Sequence, residues 1–361
     1  MKKKLTALML SAAMALSLAA CGGSSSTAST TAAADTAETA EAAAADSTAA
    51  AASGETRVLK LACTKSSESY MVKELENFAQ RVNELSNGSL TIELYPSSQL
   101  GGQDEIMEGI GMGTIEMSFL PAAVCESFFP KIAVPGTLFV AKNEEHALKI
   151  WQSDYATAIL DEMAEAINVK CMDFVIEGAR NIWTTVPVNT LDDLKGIKLR
   201  VPGAPSFVSA FEALGTNPTP MTLSEVYTGL QTKIIEGLEM DTPTIIVNNM
   251  QELCKYCFKT NHGVSIMSFM IANNLWNELT EEEQNAIKTA ADESTEVMNK
   301  QYYVELEQNE KDLQENYGVT FTTPSDEDMA KMQEILAPVT EESIKDYATM
   351  DDLNALKALA D

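Results

Sequence analysis

Of the 25 basic residues in this 361-residue chain, only four are arginine: Arg57, Arg81, Arg180 and Arg200. The others are lysines, so arginine is used sparingly and its positions carry information. A guanidinium keeps its charge when desolvated, and its planar fork matches a carboxylate through two parallel hydrogen bonds. Arg57 stands at the start of the folded region, and Arg81 falls beside Val82 on the polar side of a helical pattern, where it reads as a solvated charge. Arg180 and Arg200 differ, because they bracket one segment: Gly178-Ala179-Arg180-Asn181 at one end and Gly196-Ile197-Lys198-Leu199-Arg200-Val201-Pro202 at the other. Arg200 alternates with Lys198 on a short strand and so stands near the carboxyl end of that strand. The chemistry open to such a pair is capture of an anion. With a formal net charge of -28 the overall field repels anions, and only a local cationic field attracts one. The same two residues read equally as internal partners of Asp or Glu.

Candidates for covalent or metal chemistry are few. There is no GxSxG nucleophile elbow and no phosphate-binding loop, and the only histidines are His146 and His262. Cys254-Lys255-Tyr256-Cys257 has the CxxC spacing, but a zinc site needs further Cys or His partners nearby. Both thiols are expected to be buried on a helix. No cofactor, no metal and no enzymatic activity are expected. The acidic balance also excludes nucleic acid and anionic lipid surfaces as partners, since both need a basic footprint.

The first residues have a different use. Lys2, Lys3 and Lys4 precede an apolar run from Leu5 to Ala20, the layout of a signal peptide over 1–20. Leu18-Ala19-Ala20-Cys21 resembles the lipobox of bacterial lipoproteins, which implies a lipid on Cys21. Residues 22–56 hold no aromatic or branched aliphatic side chain, so 21–56 reads as a lipidated cysteine followed by a disordered tether. The expected location is the extracytoplasmic face of the cell membrane, with the lipid as the sole attachment.

The elements that must position the arginines follow from periodicity. Arg57–Cys63 reads as a strand, Leu75 to Leu85 as a helix stopped by Asn87-Gly88, 89–95 as a strand, Ile106–Gly113 as a helix and Ile115–Leu120 as a strand. That rhythm is the one of an α/β sheet. It returns with strands at Val169–Ile176 and Ile197–Val201, a helix at Pro205–Leu214, a helix capped by Ser224 and running to Thr232, and strands at Gly237–Met240 and Val264–Ile271. From Leu275 to about Asn316 the chain is helix-compatible throughout, so that helix either spans two lobes or breaks once. Helices at Met329–Ala337, Glu341–Tyr347 and Met350–Ala360 close the chain. Two α/β lobes with several crossings and a bridging helix predict a clamshell, with ligand in the cleft at the strands' carboxyl ends.

Six elements then resemble one family, in order and evenly spaced from about 58 to 330. Tyr95-Pro96-Ser97-Ser98-Gln99-Leu100-Gly101-Gly102 is similar to the YPxxQLGG element of DctP-like substrate-binding proteins of tripartite ATP-independent periplasmic (TRAP) transporters. Glu145-His146-Ala147, Gly178-Ala179-Arg180, the run Leu191 to Pro202, Glu225-Val226-Tyr227-Thr228-Gly229-Leu230-Gln231 and Glu236-Gly237-Leu238-Glu239 resemble five further motifs of that family. The resemblance implies a periplasmic-binding-protein-like clamshell with a long helix across both lobes. Lobe I is expected over 57–177 and about 266–305, and lobe II over 178–265 and about 306–361.

It also implies capture of a small organic acid, a sugar acid or another carboxylate, for an ion-coupled TRAP permease by a monomer. The alternative is a sensor that presents its closed state to a membrane receptor. Arg200 is the implied carboxylate fork and Arg180 the second cleft arginine. Met240 stands where the family has asparagine, with Asp241 after it as an acceptor for ligand hydroxyl or amino groups or a partner of Arg180. Leu223 replaces a family aromatic. Tyr70, Leu120, Trp183 and Tyr227 complete the expected pocket.

Overall fold

A computed structural model describes residues 56–360. The leader over 1–20, Cys21 and the tether up to residue 55 lie outside these residues. The described chain runs β1 (Arg57–Cys63), α1 (Tyr70–Leu85), β2 (Leu90–Tyr95), α2 (Gln103–Gly111), β3 (Met117–Pro121), α3 (Glu144–Trp151), α4 (Asp154–Ile167) and β4 (Val169–Thr184). It continues through β5 (Lys198–Val201), α5 (Pro205–Ala213), β6 (Asn217–Pro220), α6 (Leu223–Gln231), β7 (Gly237–Asp241), α7 (Thr242–Val247) and β8 (Tyr256–Ala272). It ends with α8 (Asn273–Glu278), α9 (Glu281–Tyr317), β9 (Thr320–Thr322), α10 (Asp326–Ile344) and α11 (Met350–Ala358).

The strands form one mixed sheet in the order β2-β1-β3-β8-β4-β7-β5-β6, with β9 beside β8. Its two halves are parallel at the edges, β2-β1-β3 on one side and β7-β5-β6 on the other. Two long antiparallel strands, β4 and β8, run through the middle and belong to both halves. Each half is covered on both faces, so four apolar clusters form, two per half. Along β4, Ile176 packs with the first half and Ile182 with the second; along β8, Ile266 and Phe258 do the same. The crossing between the halves therefore falls at Glu177 to Asn181.

Local chemistry accounts for the differences from the expected elements. The stretch from Leu275 onward both breaks and bridges. Thr280 starts α9 as a capping box with Glu283, a Thr-x-x-Glu signature. The 37-residue α9 then extends about 55 Å, with Met298 and Tyr302 packed against one half and Leu313 against the other. The helix at 223 is likewise capped by Thr222 with Glu225, not by Ser224.

β4 and β8 run well past the strands expected at Val169–Ile176 and Val264–Ile271, because β4 is laddered on both sides and absorbs its irregular stretch as bulges. Gly178, at φ +147°, takes one of these in a backbone conformation other residues reach only with strain. The two helices expected around Pro338 are one, α10. It survives the lost hydrogen bond because Leu336 and Ile344, on either side of the proline, are both buried.

Cys254 and Cys257 are buried free thiols, but neither is on a helix: Cys254 follows a short turn at Met250–Glu252 and Cys257 lies in β8. Arg81 is not simply solvated; it forks onto Glu293 of α9 at 2.7 and 3.1 Å. The chain's end also departs from the expected lobe II. Met332 and Leu336 pack there, but Ile344, Leu353 and Leu356 pack with Ile106 and Ile266 in the first half. His146 Nε2 lies 3.0 Å from the Leu356 carbonyl and ties α11 to α3.

Candidate functional site

Between the halves lies a cavity of about 510 Å³, walled on one side by Thr64, Ser97 and Gln103 and on the other by Arg200, Met221 and Asn248. Two smaller chambers share lining residues with it. One, of about 60 Å³, is walled by Arg180, Arg200, Phe207 and Met240; the other, of about 80 Å³, by Lys65, Tyr70, Glu177 and Thr244. Leu223, the first residue of α6, touches all three.

The two arginines resolve into opposite electrostatic situations. Arg180 and Asp241 face each other across the β4–β7 ladder, which puts Glu239 on the same face two residues along β7. Arg180 takes that diagonal. Its Nε and Nη2 fork onto the Glu239 carboxylate at 2.6 and 2.5 Å, and Nη1 donates to Ser265 Oγ at 2.6 Å. The guanidinium stacks over Phe207, with its carbon 5.1 Å from the ring centroid. Burial disfavours its charge, but Glu239 more than offsets this and holds its pKa above the ordinary arginine value. Burial likewise pushes Glu239 up, and Arg180 and His262 reverse this to a net lowering. Arg180 is therefore spoken for.

Arg200, third of the four residues of β5 and separated from Pro202-Gly203 by Val201, is near the carboxyl end of its strand and only 3% exposed. Its Nε donates to the Met221 carbonyl at 2.9 Å, which fixes the plane of the guanidinium. Among the described residues no carboxylate lies within ion-pair distance of it. Burial pushes its pKa down to about 10, with Glu239 only partly compensating. A buried, still-charged fork in a cavity wall is placed to stabilise an anion there.

The other expected pocket residues divide. Met240, Leu223 and Tyr70 line these cavities. Asp241 is fully buried and caps α7, accepting from Thr244 N at 2.9 Å, so it is neither a cavity wall nor a direct partner of Arg180. Leu120 and Trp183 are fully buried and line none of the three cavities; the Trp183 ring N–H donates to the Met240 carbonyl at 3.1 Å. Tyr227 lies on α6 with its hydroxyl donating to Glu252, outside the cavities. Lys65 and Glu177 escaped the sequence reading. Lys65 looks like a solvated charge in a polar loop, and Glu177 acquires meaning only once β4 is seen to pass the cleft. Among the described residues no group of three or more His, Cys, Asp and Glu is placed to hold a metal ion.

Two α/β halves joined by paired long strands and one bridging helix, with a polar cavity between them and an uncompensated arginine in its wall, define a clamshell solute-binding protein. The chain belongs to bacterial extracellular solute-binding protein family 7, the DctP family, whose profile matches residues 61–346. It is 29% identical over 232 residues to the sialic acid-binding periplasmic protein SiaP of Vibrio cholerae, covering 64% of this chain and 72% of that one. A TRAP solute-binding protein of Pseudomonas putida with bound D-glucuronate superposes with a TM-score of 0.78 at 27% identity, over 84% of this chain and 97% of that one. The sugar acid-binding protein DctPAm of Advenella mimigardefordensis, in complex with galactonate, gives a TM-score of 0.79 at 26% identity, over 85% and 98%.

Proposed function

We propose that this chain captures a small organic acid, a sugar acid or another carboxylate, between its two lobes and hands it unchanged to a TRAP permease. In this reading a lipid on Cys21 holds the protein at the outer face of the membrane and the tether lets the clamshell reach the permease. The observation that carries the proposal is Arg200: buried, held in plane by the Met221 carbonyl and, among the described residues, without a carboxylate within ion-pair distance. The ligand carboxylate supplies the missing charge. Arg180 shapes the wall and keeps Glu239 from repelling the ligand. Family membership supports transport of a solute rather than its conversion. The sugar acids bound by the Pseudomonas and Advenella relatives support a hydroxylated acid as the ligand.

A carboxylate library screened by thermal shift and confirmed by calorimetry tests this reading. The expected ligand binds at micromolar affinity or tighter, about -8 kcal/mol or more favourable. Arg200→Ala is expected to lose about 2–5 kcal/mol of it, because the ligand carboxylate is then buried without its partner. Unchanged affinity in Arg200→Ala, or a response to neutral sugars alone, overturns the proposal.

A further inference from the structure

The elements that join the two halves are built differently at the point where they cross. β4 and β8 pass between the halves with register shifts at Ile176/Gly178 and Arg180/Ile182, so their ladder is already interrupted there. α9 crosses between Tyr302, packed in the first half, and Leu313, packed in the second, with no proline or glycine in its 37 residues. α10 crosses as well. Met332 and Leu336 pack in the second half and Ile344 in the first, and Pro338 stands between them. A proline inside a helix has no N–H for the carbonyl four residues back, here Glu334, and its ring pushes that carbonyl aside. The hydrogen-bonded ladder of α10 is thus broken within the span that runs from one core to the other.

The packing leaves a gap at the same place. A cavity of about 20 Å³ is lined by Leu336 and Val339 of α10, by Thr137 and Leu138 of the segment between β3 and α3, and by Ser206 and Ala210 of α5. That is room for about one water. In a close-packed core a turn of helix moves only by displacing its neighbours, whereas a turn beside a gap can tilt into it. α5 connects this point to the ligand site. Its Phe207 walls the 60 Å³ chamber and stacks on Arg180, its Ser206 holds the Glu126 bridge, and its Ala210 shares the small cavity with Leu336.

We propose that Pro338 is a hinge: α10 bends there when the two halves move relative to one another, so the closing helices form a jointed strap and not a rigid brace. α9, whose ladder is unbroken, accommodates the same motion only by gentle curvature along its length. The hinge does not rest on the reading of Arg200 and is tested without ligand.

Glu76 of α1 and Thr228 of α6 are exposed, one in each half. Replacing both with a non-natural ketone side chain allows spin labels to be attached without use of the cysteines. The distribution of distances between the labels is then measured by pulsed electron resonance on the purified, unliganded chain, on Pro338→Ala and on Pro338→Gly. Alanine restores the N–H and is the better helix former, so α10 becomes continuous; glycine restores the N–H but leaves the turn its backbone freedom. The distribution is expected to be about 2-fold narrower in Pro338→Ala than in wild type, and as broad as wild type in Pro338→Gly. Denaturant unfolding is expected to rank Pro338→Ala above Pro338→Gly, which shows that both variants fold and that α10 has been stiffened. A proline that serves only the packing of α10 predicts one distribution for all three chains. Equal widths in wild type and Pro338→Ala overturn the hinge, and so does equal narrowing in both variants, which would make the ring a spacer and not a joint.

Discussion

Removing Arg180 and removing Arg200 have different consequences for the unliganded protein. Arg180→Ala leaves the Glu239 carboxylate buried beside His262 with no cation, and breaking a buried pair in this way costs about 3–5 kcal/mol. Arg200→Ala removes a buried charge that has no counter-ion among the described residues, so the unliganded variant is expected to unfold at the same denaturant concentration as wild type or a higher one. Denaturant unfolding of the two variants checks this. Two equal losses would mean that Arg200 is an internal structural charge after all. Lone cations in cleft walls thus declare themselves by what their deletion does not cost.

At the scale of elements, β7 approaches β4 so closely that Gly237 has no room for a side chain. A Cβ there would lie 2.5 Å from the Trp183 carbonyl and 2.9 Å from Thr184 Cγ2. Gly237→Ala is expected to cost about 2–3 kcal/mol, because a backbone carbonyl cannot step aside, and the loss is read by thermal or denaturant unfolding.

Where β4 meets α9, Asp173 sits by Asp292. Burial, the neighbouring charge and their shared hydrogen bond push its pKa up to about 7, against Lys288. An acid whose pKa is raised by folding contributes nothing below its unfolded pKa of about 4, destabilises progressively as pH rises from there to the folded value, and reaches its full cost above it. Asp173→Asn is therefore expected to stabilise by about 1 kcal/mol at pH 8, after screening at this partly buried site, and by nothing at pH 4. Unfolding at the two pH values checks the sign.

At the scale of the whole molecule, the cleft is bridged by side chains as well as by the three crossing segments. Glu126, in the turn after β3, accepts from Ser206 N at 2.9 Å and from Ser206 Oγ at 2.7 Å, at the start of α5 in the other half. Lys65 makes a second bridge to Thr244. A ligand that binds between lobes is held by every contact that favours their approach. Glu126→Ala, which touches none of the three cavity walls, is expected to weaken ligand affinity about 10-fold and to enlarge the radius of gyration of the liganded protein by scattering. No change in either would leave the Glu126 bridge without a part in closure. The return of α10 and α11 to the first half straps the lobes along one further edge.

Strands, helices, the α/β class and the bridging helix were legible because alternation and 3.6-residue periodicity are properties of the chain itself. So was the rarity of arginine, which singled out Arg180 and Arg200 before any contact was known. Thr222 and Thr280 were missed, Ser224 being taken for the first of these caps, although each carries a Thr-x-x-Glu capping signature that periodicity alone passes over. The division of labour between the two arginines was decided by tertiary structure. Glu239 is 59 residues from Arg180 and meets it only because β4 and β7 pair antiparallel in one register. Glu177 and Lys65, 112 residues apart, likewise become one polar pole only after β4 is carried past the cleft. Residue type says which chemistry a side chain can perform; whether its charge is already satisfied depends on partners the fold brings from elsewhere in the chain.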